Sequence, residues 1–167
     1  MKEFVKALVC GSKSNLIPEK YNLFGQFVGE WDFEWVDGRD TEEERHVKGE
    51  WIFQWILEGT AIQDVFICPS RIERRTNYQP DAAYGTTVRM YNPDSQAWDI
   101  LYTELGGATQ LEARKESDKI VLRAVGTDGL RWVFSEITKT SFHWQRLVSE
   151  DGEHWIAEAD LYAVRRE

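Results

Sequence analysis

"GEWDFEW", residues 29–35, returns twenty residues later as "GEWIFQW", residues 49–55. In both copies the large rings stand two residues apart, the spacing of a β-strand with one apolar face. On the first strand Phe27, Trp31, Phe33 and Trp35 share a side, with Gln26, Glu30, Asp32 and Glu34 on the other. Val47, Trp51, Phe53, Trp55 and Leu57 repeat the pattern on the second. Two neighbouring rows of rings predict the wall of a core or of a cavity.

The same period extends along the chain, broken by turn residues every 8–12 positions, as in all-β sandwiches and barrels. Ten strands are expected, at 26–36, 44–57, 60–68, 85–92, 96–105, 108–116, 119–125, 130–138, 141–149 and 155–165. Between them stand Asp37-Gly38, Glu58-Gly59, Asn92-Pro93-Asp94-Ser95, Asp128-Gly129 and Asp151-Gly152, all hairpin chemistry. Short connections make sequential strands antiparallel neighbours. A ten-stranded meander twists, and closing it removes its exposed edges, so the expected fold is a single up-and-down antiparallel β-barrel over residues 26–167. Residues 1–25 form an N-terminal segment with a short helix. "PEKYNLFGQF" (18–27) offers a proline suited to a first helical turn and a plug for one barrel end. The long connection 69–84 reads as a mobile loop.

Turn lengths fix which residues oppose one another. A two-residue turn at Glu58-Gly59 sets Trp55 against Ile62, Phe53 against Asp64 and Trp51 against Phe66, which directs Asp64 inward among the rings. A buried carboxylate requires a cation, hydroxyls, water or a ligand, so Asp64 is the sharpest sign of a polar site inside. A three-residue turn at 93–95 sets Arg89 against Asp99. A two-residue turn at Lys139-Thr140 sets Glu136 against His143, a carboxylate–histidine pair of the kind used to move protons.

Composition excludes several classes. The 167-residue chain carries a net charge of −9, without general attraction to nucleic acid or anionic membranes. No stretch approaches the ~18 apolar residues of a membrane-spanning helix. Cys10 and Cys68 form neither a disulfide framework nor a CxxC pair, and the stretch before Cys10 is too short for a signal segment. The protein therefore reads as cytoplasmic. His46, His143 and His154 lack metal-ligand spacing, and no phosphate loop or nucleophile elbow is present, so no metal and no cofactor is expected. Haem ligation from a barrel mouth would fall to His143. Base-stacking aromatics with interleaved basic residues are missing, which argues against nucleic-acid binding.

"GEWDFEW", "GEWIFQWILEGTAIQDVFICPS", "GTTVRMYNPDSQAWDILY", "RWVFSEITKTSFHW", "SEDGEHW" and the terminal "YAVRR" together resemble an uncharacterised group of bacterial lipocalin-like, calycin-type barrels. The resemblance spans nearly the whole chain from Phe27 and implies a lipocalin or fatty-acid-binding-protein-like barrel with an internal cavity. In that class a Gly-x-Trp at the start of strand one closes the barrel base, its Trp beside an Arg from near the end of the barrel. Gly29-Glu30-Trp31 with Arg165 or Arg166 matches this description.

The expected function is binding of a small hydrophobic or amphipathic molecule. Trp31, Phe33, Trp35, Trp51, Phe53 and Trp55 would wall the site, with Asp64, Arg89, Glu136 and His143 as its polar candidates. The partner is that small molecule, with neither nucleic acid nor membrane insertion; homo-oligomer formation stays open. The rival is an isomerase, cyclase or hydratase acting on a lipid-like or polyketide-like substrate through Asp64 or the Glu136/His143 pair.

Overall fold

In a computed structural model, which describes residues 2–167, the ten strands close into one antiparallel barrel. They are β1 (Gly29–Asp37), β2 (Arg45–Ile56), β3 (Ala61–Cys68), β4 (Ala83–Asn92) and β5 (Ala97–Glu104), followed by β6 (Gly107–Glu116), β7 (Lys119–Ala124), β8 (Leu130–Ser135), β9 (Ser141–Val148) and β10 (Ile156–Arg165). Each pairs with its sequence neighbour, and β1 pairs with β10 from Trp31↔Arg165 to Asp37↔Ala159. Closure leaves no free sheet edge among these strands. None of the described helices is long and apolar enough to cross a membrane.

Alternation along β1 and β2 sends the rings inward as their spacing requires. Trp31, Phe33, Trp51, Phe53 and Trp55 are buried, while Glu30, Asp32 and Glu34 face solvent. The two glycines of the repeated motif do different work. Gly29 has φ +131°, and a Cβ there would lie 2.6 Å from the Arg165 guanidinium. Gly49 has an ordinary strand backbone, but the ring of Phe33 on β1 occupies the space a side chain would fill, 2.1 Å from an added Cβ.

One end of the barrel is sealed. Ile17, Leu23, Phe24 and Phe27 are buried ahead of β1 and join Trp31, Phe53, Phe134, Phe142 and Trp98 in the core. This plug is two 3₁₀ turns, Glu19–Tyr21 and Gly25–Phe27, where a helix was expected. Asn22 interrupts it by accepting the Gly25 N–H at 3.2 Å, and a Cβ at Gly25 would sit 2.8 Å from the Trp55 ring. The helix of the N-terminal segment lies earlier, at α1 (Lys2–Leu8), with no buried residue. Arg165 closes the same end. Its guanidinium lies 4.2 Å from the centre of the Trp31 ring and donates to the carbonyls of Val28, Gln26 and Lys139. Arg165 is thus the arginine that packs on the Trp31 ring, while Arg166 meets the motif at Glu30, donating to its backbone carbonyl at 2.9 Å and to its carboxylate at 3.3 Å.

The opposite end is the mouth, ringed by the connections at 38–44, 69–82, 105–106, 125–129 and 149–155. The long connection, expected to be mobile, is tied at both ends. Near its start Arg71 donates to Glu50 through its guanidinium and through its backbone N–H at 2.7 Å, and Arg166 donates to the same carboxylate at 2.8 Å. Near its finish Asp81 and Gln79 accept from Arg45, whose guanidinium also holds Asp37.

Arg71 and Arg166 hold the Glu50 carboxyl down at about 2, against an ordinary 4.5. A depressed carboxylate stabilises the fold fully above its ordinary value and loses that contribution as pH falls toward its folded value. In NMR spectra of the folded protein the Arg71 amide resonance should titrate with a midpoint near the folded Glu50 value of about 2. Glu50→Gln should abolish this titration; its persistence in the variant would contradict the clasp.

Candidate functional site

Above the sealed base the interior opens into a cavity of about 230 Å³ beneath the mouth. Trp35 of β1, Trp51 of β2, Phe66 of β3, Tyr102 of β5, Trp132 of β8 and Trp144 of β9 form its apolar lining. Thr87 and Ala83 of β4 complete the wall, and Asp81, Glu104 and Arg146 contribute polar groups. A smaller recess of about 60 Å³ shares Trp35 and Phe66 and runs beneath Arg45 and Gln79 to Cys68. Burial pushes the Cys68 thiol up to about 12, so it stays protonated at neutral pH.

The rings hold one another in place. Phe33 stacks on Phe66 at 5.0 Å, and Phe66 meets Trp51 edge-on at 5.3 Å. Trp144 packs against Trp35 at 5.8 Å and Trp132 at 5.7 Å, and Trp132 meets Tyr102 edge-on at 5.6 Å. The Tyr102 hydroxyl donates to Glu104 at 3.1 Å, and burial raises its phenol above the ordinary range.

Lower in the barrel Asp64 faces Phe53 across the β2–β3 ladder, as the turn at Glu58-Gly59 requires. The ladder ends at Ile56↔Ala61, with Leu57, Glu58 and Gly59 all left-handed in the connection, so the register survives although Leu57 and Thr60 do not pair. Asp64 is fully buried, and its partner is Arg89, which donates to Oδ2 through Nε at 3.0 Å and Nη2 at 2.5 Å. The Arg89 guanidinium lies within 6.0 Å of the ring centres of Phe24, Phe53, Phe134 and Trp51. An ion pair with aromatic faces around its cation offsets the desolvation that either charge alone would incur.

Two of the expected pairings are corrected. Arg89 lies opposite Ile100, not Asp99, because the β4–β5 connection has four residues. Asn92 accepts the Asp94 N–H at 3.0 Å and Gln96 adopts φ +53°, which adds one residue to the turn. Glu136 does not meet His143. It takes φ +50° and leaves the strand one residue early, so the last pair of β8 and β9 is Ser135↔His143. Glu136 is exposed, and His143 points outward, away from Phe142 and Trp144 on the inner face. There His143 contacts Asp160 at 2.7 Å and stacks on Tyr162 at 4.6 Å. Neither residue reaches the cavity, and His143 cannot serve a ligand inside the barrel.

The remaining expected site residues divide by depth. Trp35 and Trp51 line the cavity, and Phe33 supports Phe66 behind it. Trp31, Phe53 and Trp55 belong to the solid core. Asp64 and Arg89 do not line the cavity and lie beneath it, Asp64 paired with the lining residue Thr87 and the Arg89 guanidinium 6.0 Å from the ring centre of Trp51. Sequence reading missed Phe66, Thr87, Tyr102, Trp132 and Trp144. Period two joins Trp132 with Phe134 and Phe142 with Trp144, but the expected pairing of Glu136 with His143 set these two rows on opposite faces, whereas Phe134 in fact opposes Trp144; their height in the barrel was missing as well.

The indole nitrogens differ in their partners. Trp31 donates to the Phe27 carbonyl at 2.7 Å, Trp98 to the Tyr21 carbonyl at 2.7 Å and Trp35 to Asp37 at 2.9 Å. The Nε1 atoms of Trp51, Trp132 and Trp144 are buried and have no protein partner. All three rings line the cavity. A buried donor left unpaired costs about 1–3 kcal/mol.

Comparison with known proteins agrees with this architecture. Neither a protein-family model nor a curated protein sequence matches the chain. Among solved structures, the chain is similar to Rv2717c from M. tuberculosis, with a TM-score of 0.58 and 9% identity over 90% of this chain and 99% of that one. It is also similar to the S-type phycobiliprotein lyase CPES from Guillardia theta, with a TM-score of 0.58 and 11% identity over 86% of this chain and 90% of that one. The protein has the fold of a lipocalin-like barrel. At these identities the likeness establishes the architecture and nothing about the site.

Proposed function

We propose that the protein binds one small, predominantly apolar molecule in the cavity at the barrel mouth. The observation that carries this reading is the ring of Trp35, Trp51, Phe66, Tyr102, Trp132 and Trp144 around about 230 Å³ of open interior. Packed interiors rarely leave a space of that size among aromatic side chains, whereas ligand sites are concave and mainly apolar with a few polar groups. Likeness to a phycobiliprotein lyase makes a bilin-like ligand worth testing. An open-chain tetrapyrrole exceeds the cavity and would leave part of its length at the mouth.

The isomerase, cyclase or hydratase reading has less support. It would rest on Asp64, which is committed to Arg89 beneath the cavity, because Glu136 and His143 stand apart. The unpaired cysteines Cys10 and Cys68 favour a reducing compartment, in keeping with a cytoplasmic protein.

Native mass spectrometry of protein isolated without denaturation, or incubated with bilins and smaller aromatic compounds, tests the proposal. The expected result is a 1:1 adduct that Ala83→Trp, placing a ring in the mouth, reduces at least tenfold. Uptake unchanged in that variant, or no uptake of any compound, would overturn it.

A further inference from the structure

Hydrogen-bonding capacity inside the cavity is one-sided. Trp51, Trp132 and Trp144 are each at least nine-tenths buried, each lines the cavity, and each leaves its indole N–H without a protein acceptor. The indoles of Trp31 and Trp98, away from the cavity, reach backbone carbonyls. The three unpaired donors come from β2, β8 and β9. An indole nitrogen donates and cannot accept, so the group that complements them carries acceptor atoms.

Charge narrows the class further. The one buried cation among the described residues, Arg89, is already neutralised by Asp64, and no lining residue offers an unpaired positive group. Arg45 is held by Asp37 and Asp81, and Arg146 by Glu158. Asp81 is compensated by Arg45, Glu104 has no cationic partner beside the cavity, and the chain as a whole carries −9. An anion would enter against that field and lose its hydration without gaining a counter-ion. A neutral acceptor meets neither penalty.

Resting on the ligand-binding reading above, we infer that the molecule held here is planar, conjugated and uncharged at its buried end, with ring-carbonyl oxygens that accept from the indoles of Trp51, Trp132 and Trp144. The flat faces of the six lining rings select the conjugated body by stacking and edge contacts. The indoles select the oxygens. Aromatic groups around a negative rim could alternatively cage an organic cation, but a cation leaves all three donors unpaired.

Three bicyclic probes of similar size distinguish these cases: chromone, which carries a neutral ring carbonyl, naphthalene, which carries no acceptor, and N-methylquinolinium, which is cationic. Each is titrated into the full-length protein labelled with ¹⁵N, and the indole N–H resonances are followed, assigned by single Trp→Phe variants. Chromone is expected to bind at least tenfold more tightly than naphthalene and to move the Trp51, Trp132 or Trp144 indole protons downfield, leaving Trp31 and Trp98 in place. Trp132→Phe keeps a ring and removes one donor; it should reduce the preference for chromone by about three- to tenfold, the worth of one neutral hydrogen bond. The unmoved Trp31 and Trp98 resonances report that this variant is folded.

Equal binding of chromone and naphthalene with stationary indole protons would overturn the inference while leaving an apolar binding site intact. A preference for N-methylquinolinium would overturn it in favour of a cation cage. Failure of all three to bind at the cavity would remove both the inference and the reading on which it rests.

Discussion

Asp64→Asn is expected to destabilise the barrel by about 3–5 kcal/mol, the usual cost of removing one member of a buried ion pair. The change is nearly isosteric, so the loss isolates charge from shape. Arg89 cannot relax to solvent: it is 1% exposed and enclosed by Phe24, Phe53, Phe134 and Trp51. It would remain charged with only an amide to receive its two donors. Against a total stability of about 5–15 kcal/mol for a typical domain, this is a large fraction. Replacing both residues together, as in Asp64→Leu with Arg89→Met, should recover most of the loss because no charge is then stranded. Urea denaturation of the two single variants and the double variant measures the difference. A single variant as stable as the parent would contradict the buried pairing.

Gly49→Val should have the second-largest effect, and through a different cause. An added Cβ would lie 2.1 Å from the Phe33 ring and 2.7 Å from the Ile67 carbonyl oxygen, before the two methyl groups of valine are considered. Phe33 cannot move aside freely, since it is stacked on Phe66 and largely buried. Overpacking of this kind costs about 1–3 kcal/mol, and it would also push Phe66, a lining residue, toward the cavity. Gly49→Val should therefore lose both stability and ligand uptake. Shortening the opposing ring with Phe33→Leu in the same chain should restore part of the stability. A double variant no more stable than Gly49→Val would show that the contact with Phe33 is not the cause.

Much of the architecture could be read from the sequence because strand periodicity and hairpin residues are local signals. "GEWDFEW" and "GEWIFQW" placed their rings on one face, and the turn at Glu58-Gly59 set Asp64 opposite Phe53. The same reasoning failed at Asn92–Gln96 and at Glu136, where a single residue with positive φ altered the count. A one-residue change moves a side chain to the other face of a sheet, which is why Glu136 and His143 were misassigned. The partner of Asp64 was missed for a related reason. Arg89 reaches it across the β3–β4 ladder, and the long connection between those strands gave no turn from which to count. Nor does alternation say how high in a barrel a ring stands. That height separates Trp31, Phe53 and Trp55 in the closed core from Trp35 and Trp51 at the cavity, and it required the N-terminal plug and Arg165 to be located first.

Ligand binding at the mouth is tested most directly by a crystal structure of the protein grown with chromone. The molecule should lie between Trp51, Trp132 and Trp144 with its carbonyl oxygen within hydrogen-bond distance of an indole nitrogen. Rings collapsed together into a solid interior, or chromone bound only outside the barrel near His143 and Asp160, would contradict the account.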